Sequence, residues 1–353
     1  MQIAVTADLH LSDRKKYPER YHALELLLDT LINMKISQLI IAGDLFDKES
    51  HNYKDFDSIC SNPKYKNIQF HIIPGNHDFS LQKRMLASEN AQVYSAPESK
   101  QFDLMSMIFF FLPYTKEKSM GECIAGSADK LEKGKWILIS HGDWIPGMSE
   151  PNPWEPGVYM PLTRSDIEQF NPAQVICGHI HKPTDSSEIH YPGSLCGLDI
   201  NETGKRRFLT IDSETGSIES HLIYPDVIYF NETLTVLPVQ DEEQYLLNQI
   251  KNMTDSWSIP NSEKNKIRLR LKVSGYSKDK NKLAQLIKQE FHDITFYDRE
   301  PDLSEVYVSD DIDREEITKQ VYKEIENLHW PEHEDEPDRD QILLQALRLI
   351  YEE

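Results

Sequence analysis

The sequence predicts an α/β fold built on a largely parallel sheet, and three features point to it. Short apolar runs alternate with a helical pattern through the N-terminal part of the chain. Five such runs stop at turns carrying Asp, Asn or His. Beyond Pro225 the pattern changes to a smaller α+β arrangement followed by helices. Strand–helix alternation is the signature of parallel strands joined by helical crossovers.

Residues 2–7 read as a buried strand ending at Asp8-Leu9-His10. A helix is expected from about Glu19, because Tyr21, Leu24, Leu27, Leu28, Leu31 and Ile32 share one stripe of 3.6-residue period. Leu39-Ile40-Ile41-Ala42 is the next strand and ends at Gly43-Asp44-Leu45-Phe46-Asp47. After a polar segment, residues 68–73 form a third strand that stops at Pro74-Gly75-Asn76-His77-Asp78. Two further strands are expected at 107–112 and 136–140, the second ending at His141-Gly142-Asp143. Residues 144–163 hold five prolines and two tryptophans, the composition of an ordered but irregular loop. Residues 174–177 run into Gly178-His179-Ile180-His181. Segments near 188–192, 206–212 and 217–224 read as antiparallel strands closing a second sheet, with a hairpin turn at Asp212–Gly216.

Domain boundaries follow as 1–225, 226–310 and 311–353. In the second region, 266–273 alternates as a half-exposed strand should. A helix near 279–291 has Leu283, Leu286, Ile287 and Phe291 inward, and short strands follow near 293–298 and 304–309. In the third, a helix at 313–329 is apolar at Ile317, Val321, Ile325 and Leu328. An acidic, proline-bounded spacer, 331–337, precedes an amphipathic helix at 338–352 carrying Leu343, Leu347 and Ile350. A tethered amphipathic helix is a groove-binding device, and the acidic spacer favours a partner over packing of the stripe on the chain's own core.

Composition bounds the function. The apolar share of 39% and charged share of 27% fit a globular protein. A net charge of −21 gives a polyanion no general attraction. Either the substrate is not nucleic acid, or cations and local basic patches reverse the sign, or a partner supplies the basic surface. Cys60, Cys123, Cys177 and Cys196 show no C-x-x-C pairing, which argues against a disulfide framework or thiolate zinc site and fits a cytoplasmic location. The first residues read as a strand rather than a signal peptide, and no apolar run nears the ~20 residues needed to span a membrane.

The chemistry lies at the strand ends. Asp8/His10, Asp44/Asp47, Asn76/His77/Asp78, His141 and His179/His181 all follow strands. In open α/β sheets ligands bind beyond the carboxyl ends of strands, so these turns should meet in one crevice. Singly, Asp44 could be a helix cap and His10 or His141 a core histidine. Jointly they form a ligand set of carboxylate, amide and imidazole that suits Mn²⁺, Fe²⁺, Zn²⁺ or Mg²⁺. They are too many for one ion. Two ions about 3.5–4 Å apart would use them all, and such a pair suits hydrolysis of a phosphoester.

Asp8-x-His10, Gly43-Asp44-x-x-Asp47, Gly75-Asn76-His77-Asp78, His141 and Gly178-His179-x-His181, in that order, resemble the calcineurin-like metallophosphoesterases. The resemblance implies a two-sheet sandwich flanked by helices, with a small α+β capping domain and C-terminal helices. It further implies one metal held by Asp8, His10 and His181, a second by Asn76, His141 and His179, and Asp44 bridging them. Two divalent ions, Mn²⁺ foremost, would be the cofactors. His77 would act at the phosphate as general acid/base or transition-state stabiliser, oriented by Asp47, and Asp78 would be an acceptor within its turn. Gly43-Asp44-Leu45-Phe46-Asp47, and Gly178-His179-Ile180-His181 followed by Tyr191-Pro192-Gly193-Ser194, look most like members that are DNA-repair nucleases. That implies exonuclease and single-strand endonuclease action on DNA, an SMC-like ATPase docked through the C-terminal helices, a homodimer, and no membrane association. Ser12 stands where the family often has Gly, and the basic run Arg14-Lys15-Lys16 after it is either a phosphate contact or a solvated face.

Overall fold

A computed structural model of the chain describes residues 1–47, 53–145, 157–239, 241–309, 311–328 and 339–351. Lys48 and Glu49, the middle of the 144–163 loop and the acidic spacer lie outside the described residues. The chain divides into two compact units. One comprises 1–198 and 205–227, the other 199–204 and 228–353.

In chain order the first unit contains β1 (Gln2–Thr6), α1 (Pro18–Met34), β2 (Gln38–Ala42), α2 (Tyr53–Cys60) and β3 (Gln69–Ile73). Next come β4 (Ala91–Val93), β5 (Glu98–Lys100), β6 (Ile108–Phe111), α3 (Met120–Ala125), β7 (Trp136–His141) and β8 (Trp144–Ile145). The unit closes with β9 (Leu162–Thr163), α4 (Arg164–Phe170), β10 (Gln174–Gly178), β11 (Thr184–Asp185), β12 (His190–Tyr191), β13 (Arg206–Asp212) and β14 (Ile218–Ile223).

Two six-stranded sheets result, ordered β14-β13-β1-β2-β3-β4 and β11-β12-β10-β7-β6-β5. Strands β1 to β4 run parallel, as do β6, β7, β10 and β12. Successive residues of a strand face opposite sides, and that alternation builds the layers. Ile3, Val5, Ile40, Leu209 and Ile211 meet Phe109, Phe111, Ile137, Ile139 and Ile176 between the sheets. The intervening Ala4, Leu39, Ile41, Phe70 and Phe208 face α1 and α2. On the other side, Phe110, Trp136, Leu138 and Val175 lie against Met120 and Ile124 of α3 and Ile167 and Phe170 of α4. The result is an α/β/β/α sandwich.

Two sequence expectations need correction here. The hairpin β13–β14 does not close the second sheet. It extends the first, because β13 pairs antiparallel with β1 and places Leu209 and Ile211 on the same inner face as Ile3 and Val5. Ile32 leaves the buried stripe of α1 and is 39% exposed, since the stripe centres on Leu24, Leu27, Leu28 and Leu31.

The second unit contains β15 (Ile228–Val236), α5 (Glu242–Trp257), β16 (Ile267–Ser277), α6 (Lys280–Glu290), β17 (Thr295–Phe296), β18 (Asp302–Val308), α7 (Ile312–Asn327) and α8 (Arg339–Tyr351). β15, β17 and β18 each pair parallel with β16. On α7 the buried side is Thr318 and Ile325, flanked by the partly buried Val321 and Tyr322, while Ile317, and Leu328 just past its end, are exposed. The stripe is therefore shifted from the expected one. On α8, Leu343 and Leu347 bury against Leu237, Tyr276 and Ile325, and Tyr351 stacks on Tyr276 at 4.4 Å. The stripe foreseen for a partner is thus used within the unit. Leu347→Ala is expected to destabilise this unit by about 2–5 kcal/mol in urea unfolding, the range for a truncated core leucine. Leu349→Ala, on the exposed face, should stay within about 0.5 kcal/mol. Equal effects would show that α8 does not hold this position. No helix among the described residues is long and apolar enough to cross a membrane.

Candidate metal centre

β1, β2 and β3 are neighbours in one sheet, and β7 and β10 are neighbours in the other. Their five C-terminal turns face one centre. The first two turns are tied together, with Asp8 N donating to Gly43 O at 3.1 Å and His10 N to Asp44 O at 3.0 Å. Asp8, His10, Asp44 and His179 all take left-handed backbone conformations, with φ of 54°, 45°, 50° and 100°. Each such non-glycine residue costs roughly 1–3 kcal/mol and persists where the surroundings impose it. Here the turned backbone aims the side chains inward.

Two glycines permit the close approach. A Cβ on Gly43 (φ 93°) would lie 2.0 Å from His141 Nδ1, and one on Gly75 would lie 2.2 Å from Asp44 Oδ1. Any side chain at either position would displace a candidate ligand.

The buried groups form one continuous cluster. His10 Nε2 lies 3.0 Å from His181 Nε2, and Asp8, His10 and His181 are close enough to share an ion. Asp44 Oδ2 is 3.6 Å from His10 Nε2 and 3.3 Å from His141 Nε2, so this one oxygen stands between two groups of side chains. On the far side, Asn76 Oδ1 is 2.8 Å from His141 Nε2 and 3.3 Å from His179 Nδ1. His141 Nδ1 lies 3.0 Å from the carbonyl of Ala42; donating there fixes the ring and turns Nε2 toward the cluster, where it would serve an ion.

His77 stands at the edge of this cluster, its ring 4.6 Å from that of His10 and its side chain 15% exposed. Its Nδ1 is 3.3 Å from Asp47 Oδ1, and its backbone N–H donates to Asp44 Oδ1 at 2.8 Å. His77, His10 and Asp44 also lie close enough to form a ligand triple. Asp78 is an acceptor within its turn, receiving Gly75 N at 2.7 Å and Phe46 N at 3.1 Å. Of the basic run, Arg14 pairs with Glu25 at 2.8 Å, while Lys15 and Lys16 are exposed.

Three residues that sequence reasoning did not single out belong to the surroundings. Arg20 of α1, almost fully buried, donates to His10 O at 2.6 Å and to Asp47 Oδ2 at 3.3 Å. Asp143 Oδ1 lies 3.5 Å from His179 Nε2. The ring of Tyr159 is 4.8 Å from that of His179. Only Asp143 carried a signal, a carboxylate two residues beyond a candidate ligand.

The electrostatics fit divalent cations. Burial pushes the Asp8 carboxyl up to about 6, against the pull of His181 and His141. Burial pushes His10 down to about 3, leaving it neutral as a ligand must be. At Asp44 burial opposes ionisation, but His141, His10 and His77 together hold its carboxyl well below the usual range. His141 is disfavoured as a cation by burial, yet Asp44 and Asp8 raise it to about 9. Asp8 Oδ2 is buried with no hydrogen-bond partner, an arrangement a cation resolves. The donor set of oxygens and imidazole nitrogens, with no thiolate, suits such an ion.

Residues 1–183 match the family model described as calcineurin-like phosphoesterase, which is more than half of the 353-residue chain. The chain belongs to the calcineurin-like phosphoesterase family. The family accounts for the metal-binding character of the cluster and makes the chain a metal-dependent phosphoester hydrolase. A solved structure described as "Crystal structure of" is similar at 13% identity and a TM-score of 0.43, covering 63% of this chain and 98% of its own. Another, described as "Structural and Functional Characterization of a Novel Archaeal Phosphodiesterase", is similar at 14% identity and a TM-score of 0.33, covering 63% of this chain and 100% of its own. No curated protein matches the chain.

Proposed function

We propose that this calcineurin-like phosphoesterase is a nuclease of the SbcD type, a two-metal phosphodiesterase that processes DNA ends with an SMC-like ATPase of the SbcC type. The observation that carries the two-metal part is the position of Asp44 Oδ2, 3.6 Å from His10 Nε2 and 3.3 Å from His141 Nε2. Asp8, His10 and His181 would hold one ion, Asn76, His141 and His179 the other, and Asp44 both. Mn²⁺ is the first choice among ions this donor set accepts. Ions held there would supply a water activated as nucleophile and charge to neutralise the phosphate oxygens.

The chain's own residues do the rest. His77, oriented through Nδ1 by Asp47, faces the phosphate and donates to the departing oxygen. Arg20 holds the second oxygen of Asp47 and so keeps that carboxylate turned toward His77. Phe79, two residues past His77, is 54% exposed, and the Lys116 ammonium lies 4.7 Å from its ring centre. An exposed aromatic face beside a cation is what a nucleic-acid strand uses for stacking and backbone neutralisation. The order and wording of the strand-end motifs support the DNA reading, and a partner-borne basic surface reconciles it with the net charge of −21. Because the inner stripes of α7 and α8 are buried, docking would use their outer faces, where Ile317 and Leu349 are exposed.

The alternative is a standalone phosphodiesterase acting on small nucleotides, which Phe79 would serve equally well. Linear double-stranded DNA with Mn²⁺, run beside a mononucleotide diester and an aryl phosphodiester, separates the two. Degradation of DNA at rates above those for the small esters is expected. Turnover of the small esters alone would remove the nuclease reading. Leu349→Asp should lower co-purification of the ATPase; unchanged co-purification would remove the docking part.

A further inference from the structure

His179 is a candidate ligand whose two ring nitrogens face different groups. Nδ1 points to the metal side, 3.3 Å from Asn76 Oδ1, and Nε2 lies 3.5 Å from Asp143 Oδ1. An imidazole that binds a metal through one nitrogen carries its proton on the other, and the partner of that proton fixes the ring's tautomer and angle. Asp143 is almost fully buried, and its other oxygen accepts the backbone N–H of Tyr159 at 2.7 Å. The backbone ties are reciprocal, with Asp143 N donating to Tyr159 O at 2.8 Å and Leu162 N donating to Asp143 O at 2.8 Å. The Tyr159 ring, inclined at 40°, then lies on His179. One carboxylate therefore lies beside the Nε2 edge of His179 and also holds the residue whose ring lies against its face.

From this geometry we infer that Asp143 is the positioning residue for the second metal, a carboxylate–histidine–metal relay acting through His179. The inference rests on the two-metal reading above and adds a residue outside the ligand set. A distance of 3.5 Å is at the outer edge of hydrogen bonding, and contacts of this kind shorten once the site is loaded. The direction of the effect follows. The carboxylate makes His179 a better electron donor and holds its lone pair on the ion, so its loss weakens one of the two ions and leaves the other.

The test is calorimetric titration of the metal-free full chain with Mn²⁺, comparing wild type, Asp143→Asn and Asp143→Ala. Asparagine keeps an oxygen for Tyr159 N–H but removes the charge, so the fold is expected to survive, and the melting temperature of the metal-free protein checks this. For Asp143→Asn, one of two Mn²⁺ affinities should fall about 10–100-fold, the usual cost of losing such an outer partner, with the other within about twofold. Two unchanged affinities would overturn the inference. So would two affinities lowered equally, which would mark a structural role only. A wild-type chain that binds no Mn²⁺ would overturn the metal centre itself, and does so independently of any result with DNA.

Discussion

Asp44→Ala is expected to lower phosphodiester hydrolysis by about 10³-fold or more and to abolish loading of two ions per chain, whereas His10→Ala should still retain one. The asymmetry comes from position. Asp44 Oδ2 stands between His10 and His141, while its Oδ1 receives the His77 N–H. Removing a terminal ligand leaves the far group of side chains whole. Removing Asp44 takes an anionic donor from both groups and leaves buried imidazoles facing one another without the carboxylate that offsets them. A loss of about 4 kcal/mol of transition-state stabilisation corresponds to about 10³ in rate. Metal content per chain by atomic absorption, beside kcat with saturating Mn²⁺, gives both numbers. Chelation of the wild type should bring its rate down to that of Asp44→Ala. An Asp44→Ala chain that still carries two ions would refute the bridging assignment.

The residues of the cluster were legible because chemistry and position coincide in the sequence. Asp8, Asp44, Asn76, His141 and His179 each follow an apolar strand, and the carboxyl ends of neighbouring strands must converge. What one sequence does not carry is the partner of a residue that looks ordinary locally. Arg20 reads as a polar position on an amphipathic helix, yet it reaches His10 O and Asp47. Asp143 reads as a turn residue, yet it meets a histidine thirty-six positions later. The same limit explains the sheet error. Alternation in 206–212 tells which residues face inward but not which sheet the strand joins, and pairing with β1 decided that. Two elements of the second unit, β15 and α5, carry interrupted patterns, β15 because Glu232 breaks the alternation of Ile228, Phe230, Leu234 and Val236. In α5 the buried Leu246, Ile250 and Trp257 keep helical spacing, but the mostly polar run 251–256 interrupts the stripe before Trp257. On α7 Ile325 and Val321 face inward as expected, but the buried Thr318 takes the place of the apolar Ile317, so a stripe read from hydrophobicity alone is shifted.

His77→Ser is expected to separate catalysis from metal binding: kcat on DNA should fall about 10²–10⁴-fold, the range for a lost general acid, while two ions per chain remain. Retention of the ions has a structural reason. The tie from this turn to Asp44 runs through the backbone N–H of residue 77, at 2.8 Å, and any side chain leaves it in place. Asn76, one position earlier, keeps its Oδ1 between His141 and His179. The loss should also depend on the leaving group. A sugar oxygen needs a proton as it departs, but a nitrophenolate does not, so an aryl phosphodiester should lose much less rate than DNA. Asp47→Asn should reproduce the pattern more weakly, since it frees the ring that Asp47 orients without removing it. Full activity of His77→Ser on DNA would remove the acid role. Loss of one ion instead would place His77 with His10 and Asp44 as a ligand. Asn76 and His77 would then share one task, where the proposed mechanism gives the amide to the metal and the imidazole to the phosphate.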